Sequence, residues 1–493
     1  MTKKSITDPN ELRAYERGFV PVLHKPVSMI LVYPNSYSVA MSNLGYQSMF
    51  YQANLHPAVF CDRGWHHPGS PVKGILSGRH MRSFDIIAFS VSYELDYFHV
   101  AGCIRESGLG LYADSRPDTD PFLLLGGIAP TINPMPLSSC FDAIAVGDGE
   151  QLIAQFLDAY TGCRSRSGSD VIDAIETVEG VFCPSRHTAG RRIKRRIVND
   201  LDTYPTQSVV LTPHCEFPDR FLIELERGCG RKCRFCAADY IYPRPRFRSA
   251  ESILDHIDRT RAMTSKVGLV GVAVMHHPCI EEIFEQIIRW NMDCSVSSLR
   301  VESLTPRTAG LLKQAGQRTI TLAPETGNDN LRKYINKQFT NEMLLAKIDL
   351  CVKVDITDIR LYFMIGIPGE TDDDIRAICD LTAQCAAMGV NLRLTINPFI
   401  PKPHTPMQAC AMDSRFELKR KIKMLRDRLN AMRNVTVSYP AVNQAYMEAA
   451  LARADRHTGD AMLLSGSSMP NPKRIEAVAL DVADMPWSVV DIR

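Results

Sequence analysis

Three cysteines stand close together in the segment ERGCGRKCRFC: Cys229, Cys233 and Cys236, separated by three residues and then two. Three thiolates so spaced on one loop can bind three irons of a cubane cluster and leave the fourth iron without a protein ligand, which makes that iron a place for reaction. Structural zinc normally takes four Cys or His ligands, commonly as two pairs, and no clear second pair lies nearby. The chain has fifteen cysteines in all. An odd number spread along a long chain argues against a disulfide framework and for a reducing compartment, so the protein is expected in the cytoplasm. The other twelve read as small hydrophobes, with Cys351, Cys379 and Cys385 set among apolar neighbours. A second candidate group is His276-His277, at the end of an expected strand, where an imidazole can orient substrate or transfer a proton near neutral pH.

The elements that must hold these residues are α/β. From residue 219, FLIELERG, VGLVGVAVMHH, CSVSSLRVE, RTITLAPETG, DIRLYFMIGIPGET and NLRLTINPFIP are strand candidates with helical segments between them. Six βα units fit a partial or complete barrel over residues 219–408, with its active site at the carboxyl ends of the strands. The cysteine loop follows the first of these strands. An earlier series occupies residues 26–160. SMILVYP, FDIIAFSVS, PFLLLGG and FDAIAVGDGE read as short apolar strands alternating with helices, the pattern of a doubly wound parallel sheet covered on both faces. Glycines at the strand ends, Gly126-Gly127 and Gly147-Asp-Gly149, sit where such sheets let a ligand approach the backbone. Residues 1–25 form an extension. Residues 161–218, with CRSRSGSD, EGVFCPS and the basic run GRRIKRRIVND, read as a linker with a small hairpin and a solvated charged face. Residues 409–493 read as helical, charged and then polar, with Trp487 as packing or contact.

Composition excludes several classes. Lys plus Arg number 57 against 55 Asp plus Glu, so no broad electrostatic footprint for nucleic acid or an anionic membrane exists. No apolar run approaches the roughly 18 residues that span a bilayer, and the start MTKKSITDPNELRAYERG lacks the apolar core of a signal peptide. At 493 residues the prior is roughly three domains.

With CxxxCxxC after the first barrel strand, the chain resembles the radical S-adenosylmethionine superfamily. The resemblance implies a 4Fe-4S cluster on Cys229, Cys233 and Cys236, with S-adenosylmethionine chelating the open iron. Reduction by a donor such as flavodoxin or ferredoxin then usually cleaves the sulfonium to a 5′-deoxyadenosyl radical. It also implies that Phe235 contacts the adenine, that Glu325 in TLAPETG contacts the ribose or amino acid part, and that Arg360 is the basic residue of strand five. Gly366 and Pro368 in MIGIPGE belong to the turn beside the adenine. The Gly-Gly-Glu segment common after strand two is replaced by Gly271-Val272-Ala273. The first domain resembles the cobalamin-binding domain of a large subclass, on Ser90-x-x-Tyr93, Gly126-Gly127-Ile-Ala-Pro-Thr131 and Gly147-Asp-Gly149-Glu150. That implies cobalamin against the Gly-rich strand ends. The Asp-x-His-x-x-Gly of many cobalamin domains is absent after the first strand, and Asp96-x-x-His99-x-x-Gly102 has other spacing, so His99 reads as a helix-surface or packing residue.

Together these imply a radical S-adenosylmethionine enzyme transferring an alkyl group, foremost methyl, to a small or peptide-derived substrate, with no nucleic acid or membrane partner. Alternatives are a cobalamin-independent rearrangement or 3-amino-3-carboxypropyl transfer, methylthiolation with a second cluster on Cys61, Cys103 and Cys140, and a non-catalytic iron–sulfur or cobalamin sensor.

Overall fold

The structure is a computed structural model that describes residues 8–163, 168–188, 191–242, 244–464 and 485–492. Parts of the Ser/Arg-rich linker and of the polar C-terminal end lie outside the described residues. The chain divides into two compact units: 1–220 with 450–474 and 483–493, and 221–449 with 475–482.

Unit one is built on six strands: β1 Val27–Tyr33, β2 Val59–Trp65, β3 Ile86–Ser90, β4 Phe122–Gly126, β5 Ala143–Ala145 and β6 Val181–Phe182. Their order is β2-β1-β3-β4-β5-β6, all parallel except β6. The expected doubly wound sheet is present. Its order reverses between β1 and β3, which opens a crevice at their carboxyl ends. Strand β2 was hidden in the sequence by Asp62-Arg63-Gly64, yet all seven of its residues are buried. Arg63 is buried because Glu16 faces it at 2.6 Å and the Phe50 ring lies 4.7 Å below its guanidinium. Asp62 accepts from the backbone N–H groups of Arg63, Leu76 and Ser77. With these partners the two charges cost far less inside a strand than unpaired ones would. EGVFCPS supplies β6, and the basic run is not a free solvated face: Arg195 is buried, and Arg196 bridges in parallel to Gly147 and pairs with Glu179 at 2.6 Å. Trp487 is buried in packing.

Unit two carries seven parallel strands in chain order: β7 Phe221–Glu224, β8 Lys266–Val270, β9 Asp293–Val296, β10 Thr319–Glu325, β11 Asp358–Ile365, β12 Asn391–Pro398 and β13 Val435–Ser438. β7-β8-β9 and β10-β11-β12-β13 are continuous ladders, and the bridge Leu299 to Leu322 connects the segment after β9 to β10. Among the described residues nothing pairs β13 with β7, so the barrel is partial. The strand faces alternate. Ile320, Leu322, Ile359, Leu361, Leu392 and Leu394 are fully buried on one face, under the helices that link the strands. The region from 409 is not purely helical: it includes Arg415–Leu429, the seventh strand β13, and Arg456–Leu464.

Candidate functional site

The cysteine loop leaves the first barrel strand through Gly228, whose φ of +92° and close approach to the Tyr242 and Arg244 carbonyls leave no room for a side chain. The loop is braced from a distant segment. Asn336 donates from Nδ2 to the carbonyls of Arg231 (3.1 Å) and Lys232 (2.9 Å), and the N–H of Arg234 donates to the Ile335 carbonyl at 3.1 Å. Lys232 donates its N–H to the buried Asp239 carboxylate.

All three cysteines line one cavity of about 340 Å³ together with Phe235, Glu325, Gly271 and Val272. All are free thiols of intermediate burial. Burial pushes the Cys233 thiol up to about 11, and raises Cys236 as well, whereas a bound metal cation favours the thiolate. Among the described residues no three Cys, His, Asp or Glu side chains converge on a single-ion site. The three cysteines border a space rather than a point, and a donor set of thiols around a cavity fits a cluster better than one ion.

Charged residues complete the lining. Arg300 donates from Nη2 to the Cys229 carbonyl and to its Sγ at 2.7 Å. Arg231 pairs with Glu302, and Lys337 Nζ lies 2.5 Å from Glu325 Oε1. Glu325 ends β10 beyond a register shift, in the left-handed region with φ +65°. Arg231, Arg300, Glu302, Lys337 and Phe339 were not anticipated as site residues, although CSVSSLRVE, which carries Arg300 and Glu302, was read as a barrel strand. Lys337 carried no local signal; the fold brings it there.

An acid from just past the end of β7 stands beside Gly271. Glu226 is buried and accepts from the Ala273 N–H at 2.6 Å, in space left by the absent side chain of Gly271. Burial pushes its carboxyl up to about 7, opposed by the Ala273 hydrogen bond.

The other expected residues are distributed as follows. Phe235 packs against a cluster that includes Met364, Ile367 and Phe399, whereas the turn of Gly366 and Pro368 does not line the cavity. Glu370 holds that turn: its Oε2 accepts from the Gly366 N–H and from Lys421, both at 2.7 Å. Arg360 does not line the cavity; it is the third residue of β11, near the strand's amino end, and exposed. His277 points inward and is buried, its Nδ1 accepting from the Cys279 N–H and its Nε2 donating to the Arg248 carbonyl at 2.7 Å. Both nitrogens are used, so it cannot face the mouth. His276 is exposed, and desolvation with the nearby Arg300 and Arg231 holds it down to about 4, hence neutral.

In unit one the glycines are filled by protein. A Cβ on Gly127 would stand 2.2 Å from the Val91 carbonyl oxygen, on Gly147 2.2 Å from that of Arg196, and on Gly149 2.6 Å from the Met49 sulfur. Gly126 has only ordinary contacts. Glu150 is buried and accepts from Thr206, and Ser90 is buried in the sheet. Gly127, Gly147 and Gly149, expected to cradle cobalamin, thus have neighbouring chain where a side chain would stand. The strand order reverses between β1 and β3. There Asn35 donates to Asp96 at 2.9 Å, Tyr93 is exposed, and His99 Nδ1 donates to the Pro34 carbonyl at 2.9 Å while its ring stacks 4.5 Å from His66.

Residues 45–184 match the family of radical SAM proteins, N-terminal, and residues 223–382 match the radical SAM superfamily. An uncharacterised protein of Methanocaldococcus jannaschii is 30% identical over 76% of this chain and 79% of its own. An uncharacterised methyltransferase of Pyrococcus horikoshii is 21% identical over 52% of this chain and 56% of its own. The fold is similar to that of the radical S-adenosylmethionine methyltransferase TsrM from Kitasatospora setae, solved with cobalamin and a [4Fe-4S] cluster. The TM-score is 0.54 at 15% identity, over 78% of this chain and 77% of that one. A family match over residues 223–382, which carry the cysteine motif, and a relative aligned along most of both chains place this protein in the radical S-adenosylmethionine superfamily, as an enzyme.

Proposed function

We propose that this chain transfers a methyl group derived from S-adenosylmethionine to a small or peptide-derived substrate. The observation that carries the reading is the convergence of Cys229, Cys233, Cys236, Phe235 and Glu325 on one cavity. When bound, a cubane on the three cysteines supplies an electron and an open iron for the cofactor. The chain's own residues prepare the rest. Asn336 fixes the loop, Arg300 holds Cys229, and the Glu325–Lys337 pair presents both charges to a zwitterionic amino acid group. Phe235 offers an apolar face beside Met364, Ile367 and Phe399. In unit one the β1/β3 crevice, rimmed by Asn35, Tyr93 and His99, is the place for cobalamin, since open parallel sheets take ligands at that reversal. A reductant such as flavodoxin or ferredoxin and a reducing cytoplasm suit fifteen free thiols.

Anaerobic reconstitution tests the reading. The expected result is a cluster retained by the wild type and absent from the triple Cys→Ala protein, stoichiometric binding of hydroxocobalamin, and S-adenosylhomocysteine as product. Deoxyadenosine or methylthioadenosine alone would replace methyl transfer with rearrangement or 3-amino-3-carboxypropyl transfer. Redox-dependent partner binding without cofactor cleavage would make it a sensor. A second reading, methylthiolation, has relatives in its favour, among them a tRNA-2-methylthio-N(6)-dimethylallyladenosine synthase of Chloroflexus aurantiacus, 26% identical over 37% of this chain. Its second cluster would need Cys61, Cys103 and Cys140. All three are fully buried, and burial raises each thiol. Iron content separates the readings, since two cubanes require about eight irons per chain.

A further inference from the structure

Four residues form one row across four strands of the barrel: Thr321 pairs with Arg360, Arg360 with Arg393, and Arg393 with Thr436. In-register residues of parallel strands point to the same side, and alternate residues to the other. The neighbours Ile320, Leu322, Ile359, Leu361, Leu392 and Leu394 take the buried side. The row therefore shares the face of Ala323, two residues along β10, which lines the cysteine cavity. Two guanidiniums on adjacent strands stand on chains about 4.8 Å apart and repel each other. The strand's own acid does not relieve them: Asp358, two residues before Arg360 on the same face, accepts from Asn391 Nδ2 at 3.4 Å. Among the described residues the guanidinium of neither Arg360 nor Arg393 has an ion-pair or hydrogen-bond partner, and both residues are exposed. The next row toward the carboxyl ends is hydroxylic, with Tyr362, Thr395 and Ser438 in register and Ser438 Oγ 3.2 Å from Thr395 Oγ1.

We propose that Arg360 and Arg393 together receive an oxyanion of the substrate, a phosphate or a carboxylate. Each guanidinium presents a planar fork of donors that suits such a group, and an anion between them removes their repulsion. The site also sets a length. From Thr321 to Glu325 the strand advances four residues, about 13 Å, so a substrate anchored at the arginines must extend that far to reach the cysteine cavity. The inference rests on the reading of the barrel as the substrate chamber of an enzyme, and it names the class of that substrate.

Phenylglyoxal modification of the full-length, cluster-loaded protein, read residue by residue by peptide mass spectrometry, tests it. Inorganic phosphate and succinate serve as probes, with chloride at equal ionic strength as control. The expected result is that one of the probes slows modification of Arg360 and Arg393 together several-fold, leaving exposed Arg259 and Arg376 unchanged. Arg360→Gln, checked for an unchanged circular dichroism spectrum, then abolishes the protection of Arg393, and Arg393→Gln that of Arg360. Protection by phosphate alone marks a phosphate ester; protection by succinate marks a carboxylate. Equal modification rates with all three anions would overturn the proposal, as would slowing spread evenly over all exposed arginines. Failure of the enzyme reading shows elsewhere, as absence of S-adenosylmethionine cleavage in the same preparation.

Discussion

A Cβ at position 271 would stand 2.4 Å from Oε1 of Glu226. Gly271, where the expected segment after the second strand begins, thus faces an acid just past the end of β7, and the two positions are steric partners. Gly271→Ala must displace Glu226 from the Ala273 N–H and is expected to cost about 1–3 kcal/mol. Urea unfolding checks this. Gly271→Ala combined with Glu226→Ala should recover part of the loss, since the colliding carboxyl is then gone.

Glu370 gives a pH dependence with a definite sign. Burial pushes its carboxyl up to about 7, with Lys421 pulling the other way. An unfolded Glu loses its proton near 4.3. Between these values the folded state holds a proton that the unfolded state has released, so stability is greatest below the window and falls as pH rises through it. Glu370→Gln is expected to flatten the decline of the urea midpoint between about pH 4.5 and 7. Glu226 titrates in the same window, in the same direction, so the double Gln variant should be flatter still. Lys421→Met should make the protein less stable above the window, on the order of 3 kcal/mol, because a buried carboxylate then lacks its partner.

The paired histidines should separate cleanly. His277→Ala removes a donor to Arg248 and an acceptor for Cys279 inside the core, and is expected to cost about 2–4 kcal/mol. His276→Ala, at an exposed position, should leave thermal unfolding within about 0.5 kcal/mol of wild type. Equal destabilisation by the two would contradict the inward turn of His277.

Gly147 offers a test of packing against ligand contact. With φ +115° and the Arg196 carbonyl where its side chain would be, Gly147→Ala is expected to lose about 2 kcal/mol or more of stability. Hydroxocobalamin stoichiometry, measured on the folded fraction, should not change. A loss of cobalamin binding with stability intact would return the glycine to the cofactor.

The barrel strands and the cysteine loop were legible because their signals are local: an apolar run of strand length, and three thiols within eight residues. Strand β2 was not, since Asp62 and Arg63 break the apolar pattern and only Glu16, Phe50 and the backbone around Leu76 make their burial tolerable. The seventh strand, Val435–Ser438, followed a charged helix and was read as part of it; its burial alternates only between partial and exposed, so it carries no apolar run.

What the sequence determined by itself was the motif of Cys229, Cys233 and Cys236 and the α/β alternation around it, because spacing along the chain fixes which residues one loop can carry. Tertiary structure decided which distant side chains share the cavity and which glycines are filled. Lys337 reaches Glu325, Arg300 reaches Cys229, His277 turns inward, and Arg360 meets Arg393 rather than the cysteines. Those facts depend on strand register and on which backbone lies against which, and register is set by packing between strands that are tens of residues apart in the chain.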